Sequence, residues 1–469
     1  VLFISHWLQS TVLFSASTDL PAVIAIVVSR ADSASEHIGE QLLELGDWTE
    51  HTDDTRPDAD GGGTYYRTDG FCLRTFDDLH IYLDRPDAAF DDPDLLLVVS
   101  RHSGETGPLL TAHFTGNFGD AEYGGAAGQF ARACPNAAAE AVAALDRHAP
   151  DGYEAGTECT HHGPTDVGVP SMFVELGSGE DQWDDPEGAR AVARAVLDLR
   201  GVDADREKQV AGFGGGHYAP RFGRIVRETT WAVGHVGADW GLEAMGNPAA
   251  NRDVVRRAVE VSAAEYVLVE GDRPGLRDVL DDLGYRVVSE TWLQETSAHP
   301  LPVVETVEAR MAGVSEGLRF GSVVPDTADA IVVTDLPADL VDAAHGVDPA
   351  AARTAVADVA VAFETTEGGT RPHGRIALPA TDPAAAADDL TDALAAVLRA
   401  SYDEVRREDG EVIARTAAFD PAAARELGVP EGPAFGRLAD GQAVDIDGER
   451  IDPETVRTER VERFPSASP

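Results

Sequence analysis

AVIAIVVSRADSASEHIGEQLLELG, residues 22–46, decides the fold class. AVIAIVVS (22–29) is a short run of apolar and β-branched residues, the pattern of a buried strand. SASEHIGEQLLELG follows at once. Ile38, Leu42 and Leu45 fall on one helical face, Ser33 and Glu36 have capping-box spacing, and Gly46 stands at the stop. A buried strand followed by an amphipathic helix is the repeating unit of an α/β domain.

The alternation continues to Trp292. LHIYL (79–83), LLLVVS (95–100), PLLTAHF (108–114) and SMFVELGS (171–178) read as strands, as do KQVAGF, WAVGHV and YVLVEG further on. PNAAAEAVAALDRHA (135–149), opened by a proline, reads as a helix, and so do PEGARAVARAVLDLRG, RDVVRRAVEV and GLRDVLDDLG. The polar insert TEHTDDTRPDADGGGT (49–64) is expected to be a loop. The expectation is an α/β fold with a mixed, largely parallel sheet flanked by helices. Composition shifts after residue 300, where Pro-rich, then Ala/Asp-rich and finally turn-rich stretches follow. Three segments are expected: 1–21, an apolar stretch without the basic start of a signal peptide, read as an upstream extension; 22–300, the domain that carries the chemistry; and 301–469, an acidic α+β extension without a histidine cluster.

Eighty-three acidic residues face 37 basic ones, a formal net charge of −46, and Lys208 is the only lysine. Such charge opposes compaction through self-repulsion. At molar salt the screening length falls to about 3 Å and the cost largely vanishes. The composition therefore reads as adaptation to a saline cytoplasm, and it leaves a nucleic-acid substrate open. Three widely spaced cysteines, Cys72, Cys134 and Cys159, argue for a reducing compartment and against a disulfide framework. No run approaches the roughly 18 apolar residues of a membrane span.

Three polar stretches sit at the ends of expected strands, where open α/β sheets bind ligands. SRHSGETGPLLTAHFTGN (100–117) holds His102, Ser103, Glu105, Thr106, His113, Thr115 and Asn117. His102 and Glu105 are candidate acid–base groups, and Ser103, Thr106, Thr115 and Asn117 candidate substrate contacts. ECTHHGPT (158–165) gathers Glu158, Cys159, His161 and His162 before a Gly-Pro turn. Adjacent residues of a strand point to opposite faces, so His161 and His162 reach one pocket only from a loop. Both are candidate catalytic residues, and Cys159 and His161 have same-face spacing for a metal. GFGGGHYAPRFGR (212–224) is neither GxGxxG nor a Walker loop, but Gly214, Gly215 and Gly216 let backbone amides approach an anion, and Arg221 and Arg224 share a helical face suited to phosphate. His217 joins the candidate metal ligands. His235, in WAVGHV, is either a buried structural histidine or a fourth contributor. No GxSxG elbow or HExxH pair occurs.

AIVVSRADSASEHIGEQLLEL, HSGETGPLLTAHFTGN, ECTHHGPT, PSMFVELGSGEDQW and GGGHYAPRF, in this order from Ala22 to Trp292, resemble the archaeal- and plant-type D-aminoacyl-tRNA deacylases in their salt-adapted archaeal version. The resemblance implies a cytoplasmic, zinc-dependent esterase that frees tRNA from a D-amino acid joined to its 3′-terminal adenosine. It also implies a fold with parts like nucleoside phosphorylases and peptidyl-tRNA hydrolases. The partner is then the 3′ end of D-aminoacyl-tRNA, without a membrane, and the protein is expected to be a monomer. Two other readings of the same residues are a nucleoside phosphorylase-like enzyme or zinc amidohydrolase acting on a small molecule, and a noncatalytic binder of the tRNA end. The stretch LGVPEGPAFGRLADGQAVDIDG in the tail resembles the end of tRNA 3′-processing nucleases and carries no catalytic residue.

Overall fold

The structure is a computed structural model that describes residues 23–468. The expected upstream extension, residues 1–21, lies outside them. Compactness divides the chain at Glu290/Thr291, ahead of the junction read near residue 300.

The first unit holds two sheets. The larger contains β1 (Ile24–Ser29), β2 (Thr49–Asp53), β3 (Gly63–Thr68), β4 (Phe71–Phe76), β5 (Leu95–Arg101), β6 (Leu109–His113), β7 (Glu154–Thr157) and β8 (Ser171–Gly177). Their spatial order is β2-β3-β4-β1-β5-β8-β6-β7. β4, β1, β5 and β8 run parallel, while β6 lies antiparallel to β8 and the β2–β3–β4 edge is antiparallel. The second sheet is wholly parallel: β9 (Gln209–Phe213), β10 (Ala232–Gly237), β11 (Tyr266–Val269) and β12 (Arg286–Val288), in the order β10-β9-β11-β12. This is the mixed, largely parallel α/β architecture expected.

Strand alternation sorts the larger sheet into two faces. Leu95, Leu97 and Val99 of β5 and Met172, Val174 and Leu176 of β8 pack against the helices Ser33–Leu45, Pro135–His148 and Pro186–Asp198. Leu96, Val98 and Phe173 look the other way, under loops instead of helices. On this second face the register sets Ser100, Glu175 and Thr111 side by side.

Three local expectations fail. LHIYL forms a 3₁₀ turn at His80–Tyr82, because His80 is held down on the sheet against the Phe173 ring, with centroids 5.1 Å apart. The polar insert contributes β2 and the start of β3, an edge hairpin whose polarity reflects a solvated edge, not a loop. The helix at 33–45 is capped by Asp32, whose carboxylate accepts from the amides of Ala34 (3.0 Å) and Ser35 (3.3 Å), in place of the Ser33–Glu36 box.

The second unit is α+β. An antiparallel four-stranded sheet follows the order Leu318–Phe320, Ala362–Thr366, Arg371–Pro379, Ile331–Asp335. A three-stranded antiparallel sheet and a small hairpin follow it. The recurrent Asp-Pro-Ala-Ala pattern marks helix starts here. Asp348, Asp382 and Asp420 each cap a helix through backbone amides, with proline at the first helical position.

Asp32 is fully buried, and its second oxygen accepts from the Arg101 amide at 2.9 Å, so it joins the first helix to the end of β5. Asp32→Ala leaves three amides without an acceptor. It should cost roughly 2–4 kcal/mol of stability, read as a lowered denaturant midpoint at high KCl, with Asp32→Asn losing less.

Candidate active site

A cavity of about 680 Å³ opens on the loop-covered face, with His102, His161, His162, Glu175 and His217 in its wall. The groups around it arrive from five places in the chain. His102 is the residue after β5, and Glu175 sits inside β8. His113 ends β6. Glu158, His161 and His162 come from the segment after β7, and His217 from the Gly-rich turn after β9. Gly177 makes room for His102: a Cβ there would stand 2.5 Å from the histidine's own Cβ.

Two carboxylates organise the floor. The His102 Nδ1 lies 3.1 Å from Glu158 and 3.5 Å from Glu175. Glu158 also accepts from His217 Nε2 at 2.8 Å, and His161 Nε2 stands 3.8 Å away. Glu175 accepts from the Ser100 hydroxyl at 2.8 Å and lies 3.3 Å from His113 Nε2. Burial alone would raise both carboxylates. The imidazoles overcome it, and both are held well below the ordinary carboxylate range. Burial likewise opposes charge on His102, yet the two carboxylates lift it to about 10. His102 is therefore an imidazolium at neutral pH, and its Nε2 stands 3.3 Å from the Tyr218 hydroxyl.

Opposite lie three clustered imidazoles, His113 stacked on His161 and His162 edge-on to both. The His113 ring is 4.3 Å from that of His161 and 5.0 Å from that of His162, and the latter two are 4.4 Å apart. His162 has φ of +41°, which breaks strand alternation and turns it to the same side as His161. In each ring Nδ1 meets a backbone carbonyl: Phe114 at 3.2 Å, Cys159 at 2.8 Å and Gly163 at 2.7 Å. A carbonyl only accepts, so Nδ1 carries the proton, and Nε2 of His161 and of His162 keeps its lone pair, whereas burial opposes charge on His113 and the Glu175 carboxylate beside its Nε2 favours it. This is the arrangement that orients metal-binding histidines. Burial depresses His161 well below its usual range and His162 to about 3, keeping both neutral. Their ligand atoms lie within 4.8 Å of one another, and His113 Nε2 is buried without a hydrogen-bond partner. The donor set fits a metal ion with an open position.

Cys159, His161 and His217 form a second group of ligand atoms at such distances. Cys159 Sγ is 3.6 Å from His217 Nδ1, so Cys159, His217 and Glu158 have the connectivity of a nucleophile, base and orienting acid. The thiol is fully buried, however, and burial with the neighbouring Glu158 charge pushes it up to about 12. Such a thiol is a poor nucleophile.

Of the groups picked from the sequence, His102, His161, His162 and His217 converge here, and Ser103 and Asn117 line the cavity. The others are placed elsewhere. Glu105 is exposed on the turn between β5 and β6 and is not among the cavity-lining residues. Thr106 bonds Ser178 at 2.6 Å and the Thr115 hydroxyl donates to Pro164 O at 2.6 Å, so both brace loops. His235 is fully buried with both nitrogens engaged, 3.0 Å from Thr160 Oγ1 and 2.9 Å from Ala131 O, and so has no lone pair to give a metal. Arg221 and Arg224 both grip Glu290, at 2.9 and 2.6 Å, which neutralises the expected phosphate clamp. The glycine turn is also filled from within. The Gly214 amide donates to Gly237 O at 2.7 Å and the Gly215 amide to the Asp239 carboxylate at 2.7 Å, and Gly216 follows them in the same turn. Sequence reasoning named Glu158 and His113 in their stretches without giving either a role of its own, and it left out Glu175. Glu175 had a signal: a carboxylate inside the apolar run Met172–Leu176 has to be paired if that strand is buried.

His235→Ala should thus destabilise by roughly 2–3 kcal/mol and leave the metal content of the folded protein unchanged. Denaturant unfolding beside elemental analysis checks both.

A family profile described as D-aminoacyl-tRNA deacylase matches residues 89–288. The chain is 58% identical to a D-aminoacyl-tRNA deacylase of Halorubrum lacusprofundi, covering 95% of this chain and 97% of that one. It is 54% identical to one of Natronomonas pharaonis (94% and 100%) and 34% identical to one of Methanoregula boonei (78% and 83%). A crystal structure of a conserved protein of unknown function superposes with a TM-score of 0.53 at 29% identity, over 58% of this chain and 97% of that one. On these likenesses the chain belongs to the D-aminoacyl-tRNA deacylase family, in its salt-adapted archaeal form.

Proposed function

We propose that the protein hydrolyses the ester between a D-amino acid and the 3′-terminal ribose of tRNA in the cytoplasm, releasing both. The observation that carries this reading is the His102 imidazolium clamped between Glu158 and Glu175 on the floor of a cavity, facing the imidazoles of His113, His161 and His162. An aminoacyl ester is already activated. It needs an oriented water, a proton for the leaving ribose oxygen and a counter-charge for the carbonyl oxygen.

His102 is the proton donor, with its mobile proton at Nε2 beside the Tyr218 hydroxyl. Glu158 and Glu175 fix its ring and keep it charged. Glu175, whose oxygens reach toward both His102 and His113, is placed to accept the hydrogen bond of the attacking water. His113, His161 and His162 would hold zinc through Nε2, which, when bound, supplies a Lewis acid for the ester carbonyl. Asn117 and Ser103 are proposed substrate contacts on the wall. Residues 301–469 are proposed to be an accessory extension, and the protein to act as a monomer. Among the described residues no helix is long and apolar enough to cross a membrane.

Incubation with D- and L-tyrosyl-tRNA should release D-tyrosine only, and a chelator should stop it. His162→Ala should lose bound zinc. His102→Gln should lower kcat about 100-fold or more with little change in KM. Equal turnover of the two enantiomers, or turnover of free nucleoside or peptide instead, would overturn the assignment.

A chain shortened to residues 1–290 should keep its deacylation. If circular dichroism shows it folded and it is inert on D-tyrosyl-tRNA, residues 291–469 complete the site.

A further inference from the structure

Seven large apolar side chains are exposed among the described residues, and four of them are aromatic: Tyr82, Tyr123, Tyr218 and Trp240. All four gather at one place. Tyr123 (64% exposed) and Trp240 (49%) line the cavity that holds His102 and Glu175. Tyr218 stands edge-on to His102 and His217, with centroids at 5.7 and 5.0 Å. Tyr82 (59%) follows the lining residue Ile81 and lies against the Tyr123 loop, where a Cβ on Gly124 would come within 3.3 Å of its ring. The rings come from four separate loops and helix starts, so no single amphipathic element explains their exposure.

The same wall is poor in cations. Asp120 and Glu122 line it, and its one lining guanidinium, Arg101, lies over the Trp183 ring at 5.2 Å. Arg221 and Arg224 are held by Glu290. A phosphodiester backbone finds little to hold here, and acids to avoid. The flat, uncharged faces of unpaired bases find exposed rings, and stacking on aromatic side chains is indifferent to sequence and to salt in a way that phosphate contacts are not.

We propose that Tyr82, Tyr123, Tyr218 and Trp240 form a stacking surface for the unpaired bases of a single-stranded RNA 3′ end, which delivers the terminal ribose to the cavity floor. The proposal rests on the reading that charged tRNA is the substrate, and it replaces the arginine clamp as the source of affinity.

The test is direct binding of a fluorescein-labelled single-stranded oligoribonucleotide ending in CCA to the full-length protein, followed by anisotropy at low and high KCl. Tyr123→Ala and Trp240→Ala should each weaken binding about tenfold, Tyr123→Phe and Trp240→Phe should restore most of it, and affinity should fall little with salt. KM for D-tyrosyl-tRNA should rise in step in the alanine variants. Alanine variants that bind like wild type overturn the proposal, as does a steep loss of affinity with salt. A change of sedimentation in those variants without a change in RNA binding also overturns it and marks a protein interface. Wild-type turnover with unaltered binding in the variants removes the stacking surface and leaves the deacylase reading standing. Ring-dependent binding without turnover of D-tyrosyl-tRNA does the reverse.

Discussion

Two negative charges buried side by side are the constraint on which this molecule is built. Glu158 and Glu175 are almost inaccessible to water, and a carboxylate in that position is tolerable only when it is paired and hydrogen-bonded. The fold meets the demand by converging chain from several directions. His102 follows β5, β6 ends in His113, the segment after β7 brings His161, and the turn after β9 brings His217. Five of the 14 histidines of the chain, His102, His113, His161, His162 and His217, are collected in one region. Removing either carboxylate leaves a surplus of buried positive charge, and removing the histidines leaves the opposite, so the cluster stands or falls as a set.

The distribution of charge differs sharply between inside and outside. Inside, each charge has a partner within hydrogen-bond reach. Outside, the excess of acid over base is left to the solvent to screen. Arginines on the surface are largely spent on neighbouring carboxylates, as Arg221 and Arg224 are on Glu290 and Arg273 is on Asp239. Affinity for a polyanion then has to come from parts of the ligand that are not anionic, which is where an aromatic rim has its physical use.

Much of the fold was legible because periodicity reports burial directly. The strand at 22–29, the helix at 33–45 and the alternation after them follow from where apolar residues recur. What periodicity does not report is which polar residue is drawn onto a sheet. LHIYL has the composition of a strand and becomes a turn because its histidine packs on Phe173. Glu175 hid inside an apolar run, since its pairing partners are distant in sequence. ECTHHGPT showed its chemistry in the clustering of donors, but only the left-handed backbone at His162 reveals that both rings face one way. The arginines on the helix Pro220–Glu228 share one face, and their pairing with Glu290 was not legible because Glu290 is remote in sequence.

The Gly214–Gly215 turn, with φ of +104° and +88°, has the backbone shape of an anion receptor, and the receptor is filled by the chain itself. The Asp239 carboxylate takes the Gly215 amide and is in turn held by Arg273. Occupied by a tethered guest, this hollow cannot be taken by chloride or other small anions, however concentrated they are. The turn that presents His217 and Tyr218 to the cavity therefore keeps its shape across the wide swings of ionic strength that an acidic surface is made to withstand.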